Sequence, residues 1–320
     1  MARASIVRHG VSCKRSLGIS VAIAIALLAR PADAASFSLA PGQLAVGAIT
    51  TYAVQGDENL LDIARTNDLG YGQLIAANPG VDPWVPGRGR AITLPGIYLV
   101  PEGPRRGIVI NLSEQRLYYF PPDGRTIETY PIGVGVQGWA TPLGVTQVTG
   151  KDVHPTWYPP RSIREEKPEL PEMVPPGPDN PLGDYALRLG WPSYLIHGTN
   201  KPYGVGRNVS HGCIRLYPED IERLFGEVAA GTAVRVTDDE LRLSWIQGEL
   251  YLAAFPSKQQ MDELAINQPM TPATPANLAS RVTDAAGSQR DRIDWGIVQY
   301  LALKRPGIPY RITKATPTDG

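Results

Sequence analysis

Proline and glycine cut this chain into pieces too short for long helices, and no other feature constrains its fold as much. There are 31 prolines and 33 glycines in 320 residues, against only four phenylalanines. Proline removes a backbone donor and clashes with the preceding helical turn, and glycine loses the most entropy on ordering. Short strands joined by tight turns are the expected outcome. From Arg106 onward, residues 108–112 and 116–120 read as strands, and Pro121-Pro122-Asp123-Gly124 turns the chain into a third at 126–130. Glycines 133, 135 and 138 and the Thr141-Pro142-Leu143-Gly144 turn punctuate the next stretch. Alternation over 185–189 and 193–197 predicts two more strands, the second ending at His197. One clear helix is predicted over 218–229, with Pro218 in its first turn and Ile221, Leu224, Phe225 and Val228 on one face. Residues 234–236 close this region as a strand, and 238–256 read as a hairpin extension.

The first 34 residues read as an export signal. Arg3, Arg8, Lys14 and Arg15 precede an apolar run over 17–29, and Ala32-Asp33-Ala34 is a small-x-small cleavage site. The run is short for a membrane span, which needs about 20 residues. An uncleaved anchor is the alternative. Cleavage would remove Cys13 and leave Cys213 as the only cysteine, so no internal disulfide is expected in an oxidising compartment. It would also remove five basic residues and one acid, leaving 26 basic against 30 acidic. That balance argues against nucleic acid as a partner, which wants a basic surface.

Residues 35–50 are expected to be a linker. Residues 51–96 form a compact unit in the order strand, helix, helix, strand, with Asp57 expected to cap the first helix and Leu60, Ile63 and Ala64 on its inner face. The long stretch from His154 to Gly183 holds nine prolines together with Trp157 and Tyr158. Loops of that length are functional or disordered, and the proline stiffening favours an ordered lid. Residues 257–290 read as a flexible linker and 291–320 as a C-terminal extension. Gly150-Lys151 is not a phosphate loop, because Val145 and Asp152 stand where that motif needs Gly and Ser or Thr.

Chemistry concentrates in His197-Gly198-Thr199 and Ser210-His211-Gly212-Cys213-Ile214-Arg215-Leu216. A cysteine with a nearby histidine is a minimal thiol nucleophile: the thiolate attacks, and the imidazole takes the proton and returns it to the leaving amine. Gly212, lacking Cβ, lets backbone N–H groups approach a developing oxyanion. Other readings remain open from the residues alone. Cys213 could be an inert buried thiol, His211 a structural histidine, or His197, His211 and Cys213 zinc ligands, although no further ligand completes such a site.

These two runs together resemble the catalytic signature of the L,D-transpeptidases, which remodel bacterial peptidoglycan. The resemblance implies a mainly β, β-sandwich-like catalytic domain over 104–237 with a short helix after the Cys motif. It implies Cys213 as nucleophile and His197 as base, oriented by the Gly198 carbonyl. His211 and Gly212 would help build the oxyanion hole. Arg215, Ser210 and Thr199 would contact substrate. No metal or other cofactor is implied. Carbapenems are expected to acylate such a site. Tyr52, Val54, Gly56-Asp57 and Ala77-Asn78-Pro79 resemble a LysM module, a small α+β (βααβ) domain that binds peptidoglycan glycan strands. The implied protein is a periplasmic enzyme of cell-wall biogenesis and cell shape. It acts on stem peptides through a Cys thioester, forming diaminopimelate cross-links or attaching the lysine of an outer-membrane lipoprotein to the wall. An L,D-carboxypeptidase using water, and a non-catalytic peptidoglycan-binding protein, are the alternatives.

Overall fold

The structure, a computed structural model, describes residues 35–136 and 139–314. The export-signal reading of residues 1–34, Cys13 included, lies outside them, as does Gly138. The chain opens with β1 (Ala35–Ser38) and β2 (Ala45–Ala53), then α1 (Leu60–Thr66), α2 (Tyr71–Ala77) and β3 (Ala91–Leu99). Next come β4 (Gly107–Asn111), β5 (Arg116–Phe120), β6 (Thr126–Pro131), β7 (Val134–Gly135) and β8 (Gly144–Val153). After α3 (Arg161–Glu166) come β9 (Tyr185–Leu189), β10 (Leu195–His197), β11 (Asn208–Ser210) and β12 (Ile214–Arg215). The remainder is α4 (Pro218–Glu227), β13 (Ala233–Thr237), the hairpin β14 (Leu241–Ile246) and β15 (Glu249–Ala254), α5 (Lys258–Ala265), α6 (Leu278–Ala286), α7 (Trp295–Lys304) and β16 (Tyr310–Arg311).

Nine strands form one mixed sheet in the order β1-β6-β5-β4-β13-β8-β9-β10-β12. The sheet is continuous and curled rather than two stacked sheets, and β8 is the reason. Its first residues pair with β13 and its later ones with β9, with a register shift between Val148 and Gly150. A shift of that kind bends a strand and raises its twist. Ile108, Ile110, Leu117, Tyr130, Val148, Leu187, Ile196 and Ile214 point to one face, and α4 covers them with Ile221 and Leu224. Period-2 alternation on the strands and the 3-4 spacing on α4 make those two faces meet.

The expected linker at 35–50 is instead structured. In β1, Phe37 lies opposite Ile127, and Leu39 and Val46 join Val109, Tyr118 and Phe120 in a second core. In the βααβ unit, β2 pairs with β3 over nine residues, so the strands run from Ala45 to Leu99 rather than within 51–96. Asn59, not Asp57, caps α1: its side chain accepts from Leu61 and Asp62 N–H, and Asp62 returns a bond to the Asn59 N–H. The expected flexible linker at 257–290 also folds. Ser257 and Gln260 form a capping box on α5, and Met261 and Leu264 enter the core of the βααβ unit. Leu278 and Val282 of α6 pack with Val298 and Leu301 of α7 against the β14–β15 hairpin, which β16 extends.

The βααβ unit is clamped to the nine-stranded sheet and the elements that follow it. Gly72 N–H donates to Gly206 O at 2.9 Å, Arg65 holds Glu219 through two 2.8 Å bonds, and Tyr217 Oη donates to Leu69 O at 3.2 Å. Gly206 lies in the loop between β10 and β11, with φ +75, and a Cβ there would overlap the Tyr71 amide nitrogen. Gly206→Ala should therefore cost at least ~2 kcal/mol from backbone strain and overlap combined. Gly226, exposed in α4 with open space around it, is the control: Gly226→Ala should gain up to ~1 kcal/mol from helix propensity. Denaturant unfolding of both variants checks the pair.

Candidate active site

Three short strands build the site. His197 ends β10, whose parallel partner β12 places Arg215 beside it, and Leu216 N–H donates to His197 O at 2.9 Å. Cys213 immediately precedes β12. Its backbone is held from two sides: Ser210 Oγ donates to Cys213 O at 2.6 Å, and Thr141 Oγ1 donates to Gly212 O at 2.7 Å. Gly212 has φ +98, and a Cβ there would press on the Tyr194 ring. Those two bonds commit the Gly212 and Cys213 carbonyls to the protein's own hydroxyls. Among the described residues no acceptor takes the N–H of Gly212 or Cys213.

His197 is buried, and its Nδ1 meets Gly198 O at 2.6 Å. A carbonyl can only accept, so Nδ1 carries the proton and Nε2 presents its lone pair. Burial, with the Arg215 charge second, pulls this histidine down to about 3, despite the Gly198 carbonyl favouring the charged ring. The Cys213 thiol faces Ser193 O at 3.6 Å. Burial raises its pKa above the ordinary cysteine value, while the Leu195 N–H and Arg215 pull the other way. The resting pair is thus neutral thiol and neutral imidazole. Arg215 itself is half-buried, its Nε has no partner among the described residues, and burial lowers its pKa.

A lid segment reaches the same place. Glu166, last residue of α3, meets His211 Nε2 at 3.1 Å, and Trp139 packs edge-on to the His211 ring at 5.0 Å. The segment is ordered around Asn180, fully buried, whose amide donates to the carbonyls of Pro155, Val174 and Pro175 and whose oxygen accepts from Leu182 N–H. No group of three His, Cys, Asp or Glu among the described residues is arranged to hold a metal ion.

The family model described as the L,D-transpeptidase catalytic domain (YkuD) matches residues 105–236. The chain is 38% identical over 310 residues to "Probable L,D-transpeptidase YcfS" of Escherichia coli, covering 92% of each chain. This chain belongs to the L,D-transpeptidase family. It is also 35% identical to "Probable L,D-transpeptidase ErfK/SrfK" of Escherichia coli, over 94% of this chain and 98% of that one. With "Probable L,D-transpeptidase YbiS" of the same organism it shares 36% identity, over 78% of this chain and 81% of the relative. The protein is an L,D-transpeptidase, and peptidoglycan is the substrate its family implies.

Within this transpeptidase the structure brings His197, Gly198, His211, Gly212, Cys213 and Arg215 together. Ser210 and Thr199, the other two expected substrate contacts, are both buried: the Ser210 hydroxyl donates to Cys213 O, and Thr199 Oγ1 accepts from Lys201 N–H at 2.9 Å. Sequence reasoning missed Ser193, which adopts φ +68 so that its carbonyl faces the thiol. It also assigned no role to Thr141, Asn180 and Glu166, whose partners lie 71, 25 and 45 residues away along the chain. The neutral pair sets the pH behaviour. His197 stays unprotonated down to about pH 3, so Cys213 alkylation by iodoacetamide should show no acid limb of histidine origin between pH 5 and 7. At pH 7 it should run slower than that of a free cysteine, because the thiolate fraction is smaller.

Proposed function

We propose that Cys213 is the nucleophile and His197 the general base of an exported enzyme that forms a thioester with a peptidoglycan stem peptide. Cys213 Sγ attacks the carbonyl carbon after the L-centre of diaminopimelate as His197 Nε2 takes the thiol proton. The oxyanion draws on the N–H groups of Gly212 and Cys213, with His211 beside them. Collapse breaks the C–N bond, and His197 returns the proton to the leaving D-alanine amine. A second amine then attacks the thioester carbon as His197 Nε2 takes its proton, and collapse breaks the C–S bond and returns that proton to Cys213. The observation that carries this reading is the 2.6 Å contact between His197 Nδ1 and Gly198 O, which fixes a base tautomer. Arg215, a half-buried guanidinium with an unpartnered Nε, supports a role in meeting a substrate carboxylate. Export to the periplasm is supported by the signal-like residues 1–34.

The acceptor in this reading is a diaminopimelate amine or a lipoprotein lysine, and water would make the enzyme an L,D-carboxypeptidase. Incubation with purified muropeptides followed by mass spectrometry distinguishes cross-linked from trimmed products. We read the βααβ unit as a LysM module on its element order and motif residues, with Trp84 and Val85 exposed at its tip for glycan contact. Trp84→Ala should reduce retention of the Cys213→Ala protein on sacculi with melting temperature unchanged.

Cys213→Ala should abolish turnover with the fold intact. His197→Ala should slow acylation by about 10²–10⁴-fold, the usual span for a lost general base, and His211→Gln by much less. A larger loss for the well-folded His211 variant would reverse the two roles. Carbapenems should yield a single adduct by intact-protein mass spectrometry, mapped to the Cys213 peptide and absent from Cys213→Ala. No adduct on a folded, reduced protein that still consumes muropeptides would count against the thioester.

A further inference from the structure

The first described residue has an unusual partner. Ala35 N–H donates to Asp68 Oδ2 at 2.8 Å. Asp68 lies between α1 and α2, is 7% exposed, and holds a left-handed backbone at φ +53. Its second oxygen, Oδ1, is buried with no hydrogen-bond partner among the described residues. Arg116, the nearest guanidinium by charge effect, spends its bonds elsewhere: on Thr129 Oγ1, the Asp68 backbone carbonyl and Gln73 Oε1. From α4, Asp220 adds a second buried carboxyl with an orphan oxygen, Oδ2, and Glu219 and Arg223 also act on Asp68. A buried carboxylate with one oxygen unsatisfied is costly, and an amide N–H can serve only one of its oxygens.

We propose that Asp68 is the binding site for the α-ammonium group of Ala35 that cleavage after Ala34 creates. The proposal rests on reading residues 1–34 as a cleaved export signal. Hydrolysis breaks the Ala34–Ala35 C–N bond. Water's hydroxyl goes to the Ala34 carbonyl carbon and its proton to Ala35 nitrogen, which takes one more from solvent. One neutral donor beside the carboxylate then becomes a cation with three donors, enough to reach Oδ1 as well as Oδ2. The nitrogen is held in place independently, because Ala35 pairs with Thr129 as the first rung of β1 on β6. Burial raises the Asp68 carboxyl above its ordinary range, against the pull of Arg116 and the Ala35 N–H, and Asp220 is raised likewise; a cation at Ala35 acts against that rise. Processing would so lock the new terminus onto the junction of the βααβ unit and the catalytic sheet.

The test begins with the full precursor expressed in an export-competent host and N-terminal sequencing of the purified product. A mature terminus other than Ala35 refutes the cleavage reading and with it the proposal. Independently, the chain beginning at Ala35 is treated at neutral pH with an amine-acylating reagent, and labelling of the α-amine is followed by peptide mass spectrometry. The paired amine should label at least about tenfold slower than in the unfolded chain, the effect of one unit of raised amine pKa, and Asp68→Asn should erase the protection. Because Asp68→Asn can fail to fold, a second chain carries one extra alanine before Ala35, which shifts the ammonium but keeps Asp68. It should melt several degrees below the mature chain and label at the unprotected rate. Equal labelling of the folded mature chain, the extended chain and the unfolded control would overturn the pairing even where cleavage occurs at Ala35.

Discussion

Arg116 lies on β5 with no exposed surface, and its guanidinium joins three parts of the molecule. It donates to Thr129 Oγ1 on β6 at 2.8 Å, to the Asp68 carbonyl at 2.9 Å and to Gln73 on α2 at 3.2 Å, and it sits 4.1 Å from the Tyr98 ring centroid on β3. A desolvated cation is tolerated only when its donors are used, and removing the partners of a buried charge typically costs about 3–5 kcal/mol. Folding the βααβ unit without the catalytic sheet, or the reverse, leaves such groups without partners. Glu114 and Arg242, 2.9 Å apart and buried nearby, extend the same constraint to the β14–β15 hairpin.

That clamp reaches the active site because the loop joining His197 to Cys213 is one of its surfaces. Gly206 receives α2 at backbone distance, and Tyr203 of the same loop meets Asp62 of α1 at 3.3 Å. The βααβ unit therefore supports the loop that joins the candidate residues His197 and Cys213. On the other side, the Asn180-centred lid reaches His211 through Glu166. The site is held between two supports, the βααβ unit behind its loop and the 154–183 segment at His211. Orientation of this kind can supply a large share of a rate enhancement when reacting atoms must meet within a few tenths of an ångström.

Inside those supports the electrostatics favour chemistry on demand. Burial disfavours both the thiolate and the imidazolium, so no ion pair is stored at rest. Arg215 tips the pair by favouring the thiolate and opposing the imidazolium. In the proposed reaction charge would develop only as a carbonyl arrives, beside the Gly212 and Cys213 N–H groups, which no acceptor among the described residues takes. Keeping the Cys213 thiol neutral also protects it from adventitious oxidation, since oxidation follows thiolate character.

The candidate site was legible in the sequence because a local motif specifies local backbone. Gly212 must be glycine to hold φ +98, and His197 orients on the carbonyl of its own neighbour, so both requirements are written within one or two residues. The strands from β4 to β6 and helix α4 were legible for a similar reason: alternation and 3-4 spacing encode which side is apolar. Supporting residues were not. Asn180, Thr141 and Glu166 act across 25, 71 and 45 residues of chain, and a hydrogen bond of that span leaves no periodic trace. The two segments read as linkers failed the same way, because Phe37, Met261 and Leu264 are sparse apolar residues whose partners lie on other elements. Sequence alone determined the motif that places His197 and Cys213 in one family signature, and those strands and the helix whose apolar periodicity is local. Only the tertiary structure decided which buried charges meet, since burial is a property of the assembled neighbours and not of the residue.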